Sequence, residues 1–197
     1  MGFRITETSS LPEIAAVVSE ALQRAGITAT LSGGSAVTIY TQNDYLSNDL
    51  DFVTSAMIHE LEPVLNSLGF VHTGVPRLSQ FSHPKVKWYL EFPPSPLAFG
   101  HLFADPKDCA VLDLPVGKLK IITPTQSVMD RLAAAFAWKD PQSREQAIMV
   151  AARQKIDWKA LGTWFVNEGE SQDEFERFRE AVGRKAGKRA KDKLWLD

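Results

Sequence analysis

Asp49 and Asp51 are separated by a single residue within a short apolar run, Leu50, Phe52 and Val53, that follows the turn-rich stretch from Asn43 to Asn48. In an extended strand, positions i and i+2 point to the same face, so the two carboxylates stand side by side. Two like charges held that way repel, and a cation between them relieves the repulsion. Hard carboxylate oxygens favour magnesium or manganese. Upstream lies Gly33-Gly34-Ser35, between a strand-like segment, Thr28 to Leu31, and a short helical one, Ser35 to Thr41. Glycines in such a turn let backbone N–H groups approach a phosphate. Ser35 is suited either to cap the helix start or to hydrogen-bond a phosphate oxygen, and the helix dipole favours an anion at that end. Small residues that admit a phosphate, followed by paired acids, suggest metal-assisted nucleotide chemistry.

The surrounding pattern supplies elements to position these groups. Leu11 to Ala25 reads as an opening amphipathic helix, with Ser10 at the N-cap, Pro12 in the first turn and Gly26 as the stop. A helix is expected near Ile58 to Leu68, with strand-like segments at Phe70 to Thr73, Leu78 to Ser82, Lys87 to Phe92 and Ala110 to Leu114. After Thr123-Pro124-Thr125 the pattern turns helical, at Gln126 to Lys139, Ser143 to Gln154 and Trp158 to Asn167. The expected class is α/β (α+β), divided into a core at 1–122 and a helical C-terminal region at 123–197.

The order and spacing of Gly33-Gly34-Ser35, a short helix and Asp49-Leu50-Asp51 resemble the DNA polymerase β-like nucleotidyltransferase superfamily, whose signature is Gly-Gly-Ser, a helix, then Asp-x-Asp or Asp-x-Glu. The resemblance implies a mixed sheet flanked by helices with a C-terminal helical extension. It also implies a third carboxylate on a neighbouring strand. Glu91, in Lys87-Trp88-Tyr89-Leu90-Glu91-Phe92, fills that place, and Asp113 is the rival. Glu91 is preferred because the elements before it follow the family's order, and because Glu91-Phe92-Pro93-Pro94-Ser95-Pro96-Leu97 looks like a sub-group of small bacterial members. Many relatives carry Asp at this position.

A second resemblance lies in Val128-Met129-Asp130-Arg131-Leu132-Ala133-Ala134, Trp138-Lys139-Asp140 and Gln146-Ala147, which look like the C-terminal helical part of small nucleotidyltransferase-like proteins. Arg131 and Lys139 lie eight positions apart on one expected helix and are candidate cations for a triphosphate. The competing assignment is a surface ion-pair network with Asp130 and Asp140. From Glu180 to Lys193 the chain carries Arg184, Lys185, Lys188, Arg189, Lys191 and Lys193 against Glu180 and Asp192. Such a segment suits either a phosphate backbone or a solvated terminal helix. The aromatics at strand and helix spacing, Trp88, Tyr89, Phe136, Trp138, Trp158, Trp164 and Phe165, suit either stacking on a base or packing, and are read as core.

Composition agrees. With 197 residues, 44% of them hydrophobic, the chain can bury a sizeable core, and its net charge of -2 gives no global attraction to nucleic acid. The single cysteine, Cys109, suits a reducing compartment, no zinc spacing is present among the four histidines, and neither a signal peptide nor a membrane span is legible, so a cytoplasmic location is expected. Together the residues and the resemblance lead to a magnesium- or manganese-dependent nucleotidyltransferase. Asp49, Asp51 and Glu91 would bind metal; Gly33, Gly34, Ser35, Arg131 and Lys139 would hold the nucleoside triphosphate. The acceptor hydroxyl belongs to RNA, protein or a small molecule. The alternative is a non-catalytic protein of the same fold that binds nucleotide or a protein partner, since some members of the wider group act in toxin-antitoxin or phage-defence systems.

Overall fold

Ser10 and Glu13 open the first helix: the Glu13 carboxylate accepts from the Ser10 backbone N–H at 2.7 Å, and Pro12 fills the first turn where an N–H has no helical partner. The computed structural model describes residues 4–74 and 79–194. Helix α1 spans Leu11–Arg24 and is followed by β1 (Ala29–Ser32), α2 (Gly33–Tyr40), β2 (Asp49–Thr54) and α3 (Ile58–Ser67). Next come β3 (Val71–His72), β4 (Gln80–Ser82), β5 (Tyr89–Glu91), β6 (Ala98–Phe99), β7 (Leu102–Phe103), β8 (Ala110–Leu114) and β9 (Gly117–Ile121). The helices α4 (Pro124–Trp138), α5 (Pro141–Ala151), α6 (Trp158–Asn167) and α7 (Gln172–Leu194) complete the chain. Leu78, expected to begin a strand, lies outside the described residues.

The fold is mixed α/β. A seven-stranded sheet runs in the order β3-β4-β5-β2-β1-β9-β8, and β6 pairs with β7 as a separate hairpin. Strand β2 is antiparallel to β1 and parallel to β5, with Asp49 opposite Tyr89, Leu50 opposite Leu90 and Asp51 opposite Glu91. Leu50, Phe52 and Thr54 are buried while Asp49, Asp51 and Val53 are half-buried, the alternation that the period-2 reading requires. Strand β1 is buried along its whole length, as befits a central strand with packing on both faces.

Helix α1 packs on β1 and β9, α2 packs on β1 and β2, and α4 and α5 pack on each other and on α2. Buried residues of the C-terminal helices, among them Val128, Leu132, Ala147, Val150 and Phe165, belong to the same apolar cluster as Leu31, Leu50 and Phe52 of the sheet. Trp138, expected in the core, is instead exposed at the last position of α4. Two polar ties fix α2 against the helices that follow. The Tyr40 hydroxyl donates to the Ile122 carbonyl at 2.5 Å, and the Gln154 side-chain amide donates to the Tyr40 carbonyl at 2.7 Å. Thr123 begins α4 as its N-cap, accepting from the Gln126 N–H while the Gln126 side chain accepts from the Thr123 N–H. The boundary expected at Thr123-Pro124-Thr125 is therefore a helix cap.

The basic segment from Glu180 lies on α7, where Arg184 approaches Glu180 and Lys185 reaches Glu145 on α5. The side chains of Lys191 and Lys193 lie outside the described residues. Among the described residues, no helix is long and apolar enough to cross a membrane.

Candidate active site

Three carboxylates converge where β2 and β5 run side by side. The parallel register sets Asp51 directly opposite Glu91, and the two-residue period returns Asp49 to the same face. One oxygen from each of Asp49, Asp51 and Glu91 lies within 4.8 Å of the other two. Asp113 is excluded as the third acid by topology. It sits on β8, separated from β2 by β1 and β9, with its side chain exposed and 3.7 Å from Lys118.

Each acid is held by its surroundings. The Ser47 hydroxyl donates to Asp49 Oδ1 at 2.6 Å, and Ser47 itself is buried, its N–H on the Thr38 hydroxyl and its carbonyl accepting from the Trp88 indole. The Gln80 side chain, directly across from Glu91 in the β4–β5 register, donates to Glu91 Oε1 at 3.1 Å. Asp51 has the most perturbed electrostatics. Burial first, and then repulsion from Asp49 and Glu91, pushes its carboxyl up to about 7, with Asp130 adding to the rise and Arg131 opposing it. Burial and the same three acids also raise the Tyr89 hydroxyl above its ordinary value.

A divalent cation fits this donor set. Three hard oxygens face one another across less than 5 Å of space with too little positive charge beside them, which is the electrostatic condition that magnesium or manganese satisfies. Gly33 contributes the second half of the fit. Its φ is +63°, and a Cβ at this position would overlap the Asp51 carboxylate, so only glycine lets the backbone come this close to the acids.

Two clefts reach the acids, and Pro93 and Pro94 line both. The smaller, about 340 Å³, is bordered by Ser32, Gly33, Asp51, Asp130 and Arg131, and by the apolar stretch Pro96, Leu97 and Ala98. The larger, about 830 Å³, opens beside Glu91 and is walled by Gln80, Phe92 and the start of α3. Arg131 is oriented by Asp130, whose carboxylate accepts from its Nε at 2.9 Å and its Nη2 at 2.7 Å. Its pairing with Asp130 and its place in the cleft thus hold together.

Three assignments need correction in detail. Gly33 and Gly34 are not in a turn ahead of the helix; they form the first turn of α2, with Ser32 as its N-cap. Gly34 faces away from the cleft, where a Cβ would press on the Ser47 hydroxyl at 2.9 Å, so its small size protects the serine that orients Asp49. Ser35 is fully buried and donates to the Ser32 carbonyl at 2.9 Å, which assigns its hydroxyl to the helix start and leaves it unable to reach a phosphate. Lys139 is not brought to the acids. Eight residues of α-helix amount to about 12 Å of rise and roughly 80° of rotation, and Lys139 ends α4 in the left-handed region at a different depression, lined by Arg144, Glu170 and Glu174.

Asp130, Ser47, Gln80 and Tyr89 were missed as site residues. Asp130 was legible only as the neighbour of Arg131, and Gln80 becomes visible once β4 and β5 are paired. Cys109 is buried beside β8, and burial raises its thiol, as expected for a small packed hydrophobe. No protein-family model matches the chain and no curated protein matches it, so the case for its chemistry rests on the convergence of Asp49, Asp51 and Glu91 beside Gly33 and Arg131.

Proposed function

We propose that the chain is a metal-dependent nucleotidyltransferase that transfers a nucleoside monophosphate from a nucleoside triphosphate to a hydroxyl, releasing pyrophosphate. The observation that carries this reading is the register that sets Asp51 against Glu91, with Asp49 on the same face, at the mouth of two clefts. Asp49, Asp51 and Glu91 would hold the magnesium or manganese, which when bound neutralises phosphate charge and acidifies the acceptor hydroxyl.

The two clefts suit two substrates. The smaller offers Arg131 and the open backbone at Gly33 to a triphosphate, while Asp130 holds the guanidinium in place. The larger receives the acceptor, with Glu91 at its edge and its carboxylate steadied by Gln80. In this arrangement the acceptor oxygen attacks the α-phosphorus, the bond from the α-phosphorus to the bridging oxygen breaks, pyrophosphate departs, and Glu91 takes the acceptor proton before passing it to solvent.

Incubation with α-labelled nucleoside triphosphates, magnesium or manganese and cell extract should label RNA, protein or a small molecule. The Asp49→Ala, Asp51→Ala double variant should give no label. Folded wild-type protein that transfers nothing under any of these conditions would refute the reading and turn attention to nucleotide or protein binding alone. The placement of the two cations gives a separate test. Arg131→Ala should raise the KM for the triphosphate about tenfold, as expected for one charge-assisted contact, whereas Lys139→Ala should change it less than about twofold. Equal effects from both variants in steady-state kinetics would contradict the assignment of the smaller cleft.

A further inference from the structure

The lining of the smaller cleft is of two kinds. Gly33, Asp51 and Arg131 offer polar and charged groups, whereas Pro96, Leu97 and Ala98 offer apolar surface. A nucleotide has the same division between its phosphates and its base. Ala98 begins β6, and in the antiparallel β6–β7 pair it stands directly opposite Phe103. Opposed residues of an antiparallel pair project from the same face with Cβ atoms about 5 Å apart. Phe103 therefore extends the cleft-lining face of the hairpin, while Phe99 and Leu102 share the other face.

Phe103 is 69% exposed, although the hairpin that carries it is firmly attached. The Trp164 indole of α6 donates to the Phe99 carbonyl at 2.9 Å in a buried setting. At the turn, Glu168 accepts from the His101 N–H at 2.8 Å, and its second oxygen lies 3.0 Å from His101 Nδ1. The Ala104 N–H closes the base of the hairpin on the Leu97 carbonyl at 2.9 Å. An aromatic ring left in water on a pinned support forms a preorganised flat surface, on the hairpin face that it shares with Ala98 of the cleft lining.

We propose that Phe103 is the platform on which the nucleobase of the donor stacks, an inference that rests on the nucleotidyltransferase reading. The ring sets no hydrogen-bonding pattern, so it accepts any base and ranks purines first by their larger stacking area.

Titration calorimetry with manganese and no acceptor tests this with two ligands, ATP and inorganic tripolyphosphate. Phe103→Ala should weaken ATP binding at least about tenfold and leave tripolyphosphate binding within about twofold, and Phe103→Trp should restore ATP affinity. Unchanged ATP affinity in Phe103→Ala, beside a wild type that binds ATP, would overturn the stacking role and leave the nucleotidyltransferase reading standing. Equal losses for both ligands would also overturn it, since the substitution would then be disturbing the phosphate end. A wild type that binds neither ligand would remove the nucleotidyltransferase reading and this inference with it.

Discussion

Asp51→Asn should leave the metal-free protein more stable than wild type at pH 8 while removing about a thousandfold or more of nucleotidyl transfer. Both effects follow from the same crowding. In the folded chain, burial and the neighbouring acids raise the Asp51 carboxyl from 3.8 to about 7. A carboxyl whose folded value is raised contributes stability that is fully present below the unfolded value and is lost as pH rises through the folded one. The metal-free wild type should therefore weaken between about pH 4 and pH 7, with an upper bound of about 4 kcal/mol for a shift of this size. Asn cannot ionise, so Asp51→Asn should lack that slope and converge on the wild type near pH 4. Urea unfolding in chelator across this range would test it. Parallel pH profiles for the two proteins would show that Asp51 is not the strained acid. Magnesium should restore the wild type at pH 8 and have little effect on the variant, because binding to the folded state alone stabilises by mass action. The loss of transfer follows because Asp51 is the acid of the cluster that also lines the smaller cleft, and the other carboxylate there, Asp130, is engaged by Arg131.

The paired aspartates were legible in the sequence because strand geometry is local. Once Leu50 and Phe52 must be buried, Asp49 and Asp51 have to face the other way. The choice between Glu91 and Asp113 was harder, since both acids sit in short apolar runs that read alike along the chain. Topology decides between them: β5 inserts parallel to β2, whereas β8 forms the far edge of the sheet. Such non-local pairing leaves no mark in hydrophobic periodicity. The hairpin bearing Phe103 was missed for a different reason. Its strands are two residues long, too short for alternation to register, and they follow the proline-rich stretch from Pro93 to Pro96. Lys139 shows the opposite error, in which a correct helix was given a charge at a distance its length does not allow.

Gly33→Ala should cost about 2–4 kcal/mol of stability and at least about a hundredfold in transfer. Two penalties combine. The backbone at Gly33 sits at φ +63°, where a residue with a Cβ is disfavoured by about 1–2 kcal/mol. The new methyl would also occupy the space of the Asp51 carboxylate, so either that acid rotates away from Asp49 and Glu91 or the first turn of α2 shifts against β2. Gly26→Ala isolates the first penalty, because Gly26 has φ +79° and open space where its Cβ would lie. An Asp51→Ala background isolates the second, because truncating the acid removes the oxygen that the methyl would strike. In that background the cost of Gly33→Ala should fall to the Gly26→Ala level, a coupling readable by chemical denaturation as a double-mutant cycle. A cost that stays the same with and without the Asp51 carboxylate would show that Gly33 serves only the chain's path. A cost that falls would establish that the glycine is needed because the acid must stand where a side chain would otherwise be, and this ties the helix start and the acidic cluster into one site.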